Sequence, residues 1–179
     1  MKNSTSDSLH RLTETGLIAA LYAVLTLCLP IASFGTVQCR FSEILTVLPV
    51  FSRHSIGGLT LGCLLSNAVG LSLGANVAGA WDLLIGSVAT LLAAVLSYAL
   101  RRVTWKGLPL LAVWPPVIVN AVLIGWELNT VLFGGAYETL WLTMLQVGLG
   151  QLLPCVVGGL FLSYMLKKSG LEQKIFRNC

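Results

Sequence analysis

The chain has 179 residues, of which 56% are hydrophobic and 10% charged, with a formal net charge of +4. A soluble domain carries roughly 25% charged residues, so this composition cannot clothe a water-exposed surface and points to a bilayer as the solvent. It also excludes a nucleic-acid-binding domain, because the basic residues cap apolar runs instead of gathering on one polar face.

In chain order, a polar stretch over 1–15 (MKNSTSDSLHRLTET) leads into apolar runs at 16–34, 43–51, 55–73, 81–100, 108–126 and 140–166. A helix needs about 20 apolar residues to cross the hydrocarbon, so the length admits one membrane domain of about six crossings. The expected organisation is a cytoplasmic segment over 1–15, an all-α membrane domain over 16–168 and a cytoplasmic tail over 169–179. The start lacks a short apolar core ending in a small-x-small cleavage site, so no removable signal peptide is expected. The run at 43–51 is short. It either borrows residues from 36–42 or sits within the bundle as a partial span.

Lys and Arg in short loops resist translocation, which tests the span count. With a cytoplasmic N-terminus and six spans, Lys2, Arg11, Arg53, Arg101, Arg102, Lys106, Lys167, Lys168, Lys174 and Arg177 lie inside and Arg40 alone outside. A five-span arrangement with the N-terminus outside scores nine to two, moving Lys2 and Arg11 out and Arg40 in. Charge alone leaves both open. Cys28, Cys39, Cys63, Cys155 and Cys179 form no CxxC pair, and packing is their expected role. Small residues four apart let backbones approach: Gly16 with Ala20, Ala19 with Ala23, Gly58 with Gly62, Ala89 with Ala93. The first two pairs make the first helix an expected outward docking face.

Polar side chains in a membrane are kept only where paired, hydrated or used. Asn67 and Asn120 are each expected about 18 Å from the inner edge, with Gln146 about 9 Å and Gln151 about 16 Å below the outer edge. Above them, expected outer loops carry Gln38, Arg40, Glu43, Asn76, Trp81, Asp82, Trp126, Glu127 and Tyr137. Together these would form an outward-open pocket with aromatic walls, suited to a flat heteroaromatic solute. Alternatively, Asn67 and Asn120 bond each other or backbone carbonyls as interhelical glue. Gln146 and Gln151 are five apart, so at most one is expected to face the pocket. Arg40 and Glu43 stand at i and i+3, close enough to pair on a helix.

The stretches LIAALYAVLT (17–26), SFGTVQCRFSEILTVLPVF (33–51), GLTLGCLLSNAVG (58–70), WDLLIGSVATLLAA (81–94), PPVIVNAVLIGWEL (115–128) and VGLGQLLPCVVGG (147–159) resemble the QueT family. These are the substrate-binding S-components of energy-coupling factor (ECF) transporters that import queuosine precursors. The VQxRxSExLTVLP and PPVIVNA patterns are the specific part of the match. The resemblance implies a six-helix bundle in the cell membrane, both termini cytoplasmic, with a solute site in its outer half. It implies docking through Ala19-x-x-x-Ala23 on a transmembrane coupling subunit, with two ATPase subunits completing the complex. The chain has no GxxxxGK[ST] phosphate loop, so ATP would be used by the partners.

The implied solutes are 7-deazaguanines, whose donor edge matches a carboxylate. Glu43, Asp82 and Glu127 are the expected acceptors, Trp81 and Trp126 the stacking rings, and Asn67, Asn120 and a last-helix Gln the readers of the remaining ring atoms. The resemblance also implies a carboxylate in many relatives where this chain has Gln151, favouring a neutral precursor or queuine. No metal or cofactor is expected. An intramembrane enzyme is disfavoured by the lack of DxxxD, HExxH or HxxxxD. A self-sufficient carrier would share the site but work without partners.

Overall fold

A computed structural model describes residues 2–176, apart from the side chains of 2–7, 173 and 174. Arg177, Cys179 and the side chains of Lys2 and Lys174 therefore lie outside the described residues. The helices are α1 (Lys2–Cys28), α2 (Pro30–Phe34), a 3₁₀ helix (Phe41–Val50), α3 (His54–Ser72), α4 (Trp81–Ala99), α5 (Trp114–Phe133), α6 (Tyr137–Gln151), α7 (Gly159–Lys168) and α8 (Leu171–Ile175). A π-helical segment, Leu152–Gly158, joins α6 to α7 without a break. Among the described residues no strand forms beyond the single Trp105–Leu108 bridge.

Five helical stretches are long and apolar enough to cross a membrane: Ser8–Cys28, His54–Ser72, Trp81–Arg102, Trp114–Phe133 and Tyr137–Lys168. The first continues a helix that begins at Lys2, so the polar stretch over 1–15 is no structural break. The run expected at 43–51 is the 3₁₀ helix, ten residues long and largely buried. Its hydrogen bonding is local, as in Thr46 Oγ1 donating to the Glu43 carbonyl at 2.6 Å. A 3₁₀ helix rises about 2.0 Å per residue against 1.5 Å for an α-helix, so ten residues cover about 20 Å. The short run thus reaches further than its length suggested.

α1 and α3 run parallel in tight contact. A Cβ on Gly58 would meet Ile18 Cβ and the Thr15 carbonyl at 2.9 Å, and one on Gly62 would meet Tyr22 Cβ at 2.7 Å and the Ala19 carbonyl at 2.8 Å. Rising numbers on one helix face rising numbers on the other, so residues 29–53 carry the chain back along the bundle. The 3₁₀ helix makes that return in the middle, packed by α1, α3, α4, α7 and the π segment. α4, α5 and α6 complete the bundle in sequence order.

The fifth expected span is corrected from 108–126 to Trp114–Phe133. Pro115 and Pro116 start this helix, where a missing N–H is harmless, and Gly134 closes it at φ +62°, a conformation glycine adopts freely. Trp126 and Glu127, expected in an outer loop, are therefore helical. At the opposite end of the bundle, His10 lies 3.1 Å from the Ile175 carbonyl, Phe176 stacks on Phe51, and Lys167 donates to the Gly107 carbonyl.

Candidate functional site

Asp82 is the second residue of α4, at the end of the bundle away from the basic loops, and it is fully buried. Its Oδ2 takes Arg40 Nη2 at 2.5 Å and Asn76 Nδ2 at 2.8 Å. Arg40, brought in just before the 3₁₀ helix, also donates from Nε to the Ser33 carbonyl at 3.0 Å and lies over the Phe34 ring. The expected Arg40–Glu43 pairing is thus corrected: a 3₁₀ turn after an extended Arg40 sends the guanidinium across to α4. Glu43 instead accepts from Tyr22 Oη on α1 at 2.6 Å.

Asn67 Nδ2 donates to the Asp82 carbonyl at 2.7 Å. It does not bond Asn120, because α5 begins later than expected and Asn120 lies six residues, about 9 Å, from its start. Asn120 is buried two turns from Glu127 on one face of α5, and its side chain makes no hydrogen bond among the described residues. Gly86 leaves room for this cluster, since a Cβ there would collide with Asp82 Oδ1 and stand 2.8 Å from Asn67 Nδ2. Glu127 lies within electrostatic reach of Asp82 and Arg40, as Glu43 does.

The loop between α2 and the 3₁₀ helix closes one side. Gln38 holds φ +51°, a left-handed conformation that non-glycine residues rarely adopt, and such strain persists where surrounding contacts over-determine it. Here Gln151 Nε2 donates to the Gln38 carbonyl at 2.9 Å, while Val37 lies against Gly150. Cys155 Sγ, on the π segment, donates to Gln151 Oε1 at 3.3 Å. Gln151 is therefore buried against the Gln38 loop, whereas Gln146 lines a separate groove with Thr36 and Thr143.

Of the expected residues, the fold buries Gln38, Arg40, Glu43, Asn67, Asp82, Asn120, Glu127 and Gln151. Trp81 and Trp126 are 59% and 47% exposed and line a small cleft with Ile85, Glu127 and Thr130. Tyr22, Ser33, Phe34 and Gly86 were missed. Tyr22 alone carried a signal, as the sole tyrosine within the first apolar run. On α1, Gly16 and Ala20 are exposed, Ala23 is half-buried, and Ala19 is 3% exposed against Gly62. Ala19 is therefore corrected from an outward residue to an internal one, because its spacing matches the α3 glycines.

Among the described residues, buried polar atoms without a partner include Glu43 Oε2, Asn67 Oδ1, Asp82 Oδ1, both Glu127 carboxylate oxygens, Ser33 Oγ and Gln38 Nε2, and, elsewhere in the bundle, Glu14 Oε1 and the hydroxyls of Ser55, Ser97 and Ser163. An unpaired buried polar atom costs about 1–3 kcal/mol, more when charged, so a cluster of them needs a use.

The family model described as QueT transporter matches residues 12–168. The chain belongs to the QueT transporter family. That family is one of transporters, and the long apolar helices of this chain make it a multi-pass membrane protein. It is similar to the queuosine precursor transporter QueT of Lactococcus lactis subsp. cremoris (strain MG1363), 32% identical over 93 residues covering 50% of this chain and 48% of the relative. The aligned part thus spans about half the length of each protein. No solved structure matches the chain.

Proposed function

We propose that this QueT-family chain is the substrate-binding S-component of an ECF transporter and binds a 7-deazaguanine queuosine precursor in the buried cluster around Asp82. One observation carries the reading. The unpaired buried atoms include five acceptor oxygens, on Glu43, Asn67, Asp82 and Glu127, against the single amide donor of Gln38. A solute that completes this set must be rich in donors. The guanine-like edge offers a ring N–H and an amino group in parallel, which suit the two free oxygens of Glu127. In this reading Gln38 Nε2, a buried donor without a partner, donates to the ring carbonyl.

Three carboxylates, Glu43, Asp82 and Glu127, stand against the one guanidinium of Arg40. Trp81 and Trp126 are best read as walls of the entrance, given their exposure.

Six crossings with both termini cytoplasmic fit these observations: the parallel α1 and α3 require a return, and the basic residues Arg53, Arg101, Arg102, Lys106, Lys167 and Lys168 gather at the His10 end. The solute cluster then lies towards the outside. Docking on the coupling subunit falls to the exposed face of α1, with Gly16 and Ala20 flanked by Leu17, Leu21 and Val24. In this mechanism the closed form binds solute, and the complex with two ATPase subunits favours a tipped form that binds it poorly. Such differential affinity is what any ligand-driven shift requires.

Equilibrium binding of pre-queuosine bases, queuine and guanine to the purified chain tests the site. Glu127→Gln is expected to weaken binding of a pre-queuosine base about thirtyfold, as loss of a charge-assisted bond does. Unchanged affinity removes Glu127 from the site. Uptake that proceeds without the coupling and ATPase subunits would instead identify a self-sufficient carrier.

A further inference from the structure

A second site lies at the other end of the molecule, between α4 and α5. Leu96, Leu100, Leu111, Trp114, Pro115, Ile118 and Val119 line an apolar groove of about 610 Å³, within the size range of sites that enclose a drug-sized apolar body. Its lining includes Leu100 and Leu111, and the loop between them carries Arg101, Arg102 and Lys106. Arg101 is fixed, donating to the Tyr98 carbonyl at 2.9 Å and lying over the Tyr98 ring. Lys106 sits over the Trp105 ring, and Arg102 is exposed. Lys167 ties this loop to α7 through the Gly107 carbonyl. Among the described residues no carboxylate pairs with any of these cations, the ion pair of the bundle being Arg40–Asp82.

An apolar groove beside cations that have no carboxylate partner matches an amphiphile with an anionic head. We propose that the α4–α5 groove binds one anionic phospholipid, its acyl chain along Leu96, Ile118 and Val119 and its phosphodiester against Arg102 and Lys106. Cations beside a membrane also attract anionic lipid without any site. A built site differs in two respects: it has a stoichiometry of one, and it depends on the groove as well as on the charges.

The test uses the full chain in phosphatidylcholine nanodiscs with increasing phosphatidylglycerol, reading bound lipid by native mass spectrometry and the thermal midpoint. Wild type is expected to retain one phosphatidylglycerol and to gain stability from it. Arg102→Gln with Lys106→Gln should weaken that retention roughly thirtyfold, since each cation near an anionic leaflet contributes about a factor of five. Ile118→Trp, at a lipid-facing position, should fill the slot and abolish retention with all charges intact. Soluble glycerol phosphate should not compete, because it lacks the chain. Retention by Ile118→Trp, equal stabilisation by both lipids, or displacement by glycerol phosphate would each overturn the proposal. Solute affinity should not change in either variant, which separates this site from the cluster around Asp82.

Discussion

The two ends of the bundle treat their basic residues in opposite ways, and of the carboxylates at the His10 end Glu14 is buried. Around Asp82, Arg40, Glu43 and Glu127 are drawn inside and are no more than 3% exposed. At the His10 end, Arg53, Arg102, Lys106 and Lys168 stay on the surface. Headgroups and water solvate the second set without help, so nothing in the fold has to answer them. The first set has lost that solvation, and its geometry shows the answer: one charge-assisted pair, a tyrosine on one carboxylate, and several oxygens left open. A single change should therefore be severe at one end and mild at the other.

The largest effect is expected for Asp82→Asn, which leaves the Arg40 guanidinium buried without its counter-charge. Breaking a buried pair from one side costs about 3–5 kcal/mol. Arg53→Gln at the exposed end should stay within about 0.5 kcal/mol, as surface substitutions do. Denaturation of both variants in one detergent measures the contrast, and equal losses would mean that burial does not set the energetics here. Removing both partners, Arg40→Met with Asp82→Leu, should recover much of the stability and none of the solute binding.

Next comes Gly86→Ala. The added methyl has no room beside Asp82 Oδ1 and Asn67 Nδ2, and overpacking of this kind costs about 1–3 kcal/mol. Gly62→Ala presses on Tyr22 and Ala19 by a similar margin. The two differ in what they disturb. Gly86→Ala should lower both solute affinity and thermal stability, whereas Gly62→Ala should act first on stability, through the α1–α3 contact. Parallel binding and melting curves on the two variants would show whether that separation holds.

The segregation of charge was legible in part. Composition and the apolar runs place the chain in a bilayer, and the spacing of Gly58 and Gly62 marks a close helix contact that the fold uses. The short run at 43–51 was visible but its conformation was not, because assuming an α-helical rise hid the reach of a 3₁₀ helix. The residues of the cluster were mostly identifiable as polar groups near one end. Their partners were not, since Arg40 finds Asp82 across 42 positions and Glu43 finds Tyr22 across 21. The shift of α5 had a readable cause in Pro115 and Pro116, which mark a helix start.

The smallest predicted effect is the most discriminating about where the solute sits. Trp81 and Gln146 were both expected at the site, yet Trp81 is 59% exposed and Gln146 lines a groove apart from the cluster. If the solute occupies the enclosed cluster, Trp81→Ala and Gln146→Ala should each change its affinity by less than about 0.5 kcal/mol, the range of substitutions away from such features. A base stacked on Trp81 would instead lose about 1–3 kcal/mol on that truncation, the usual worth of base–aromatic stacking. Isothermal titration of a pre-queuosine base into the two variants therefore decides between a solute buried among carboxylates and one held at the entrance, a distinction that the Glu127→Gln result alone does not make.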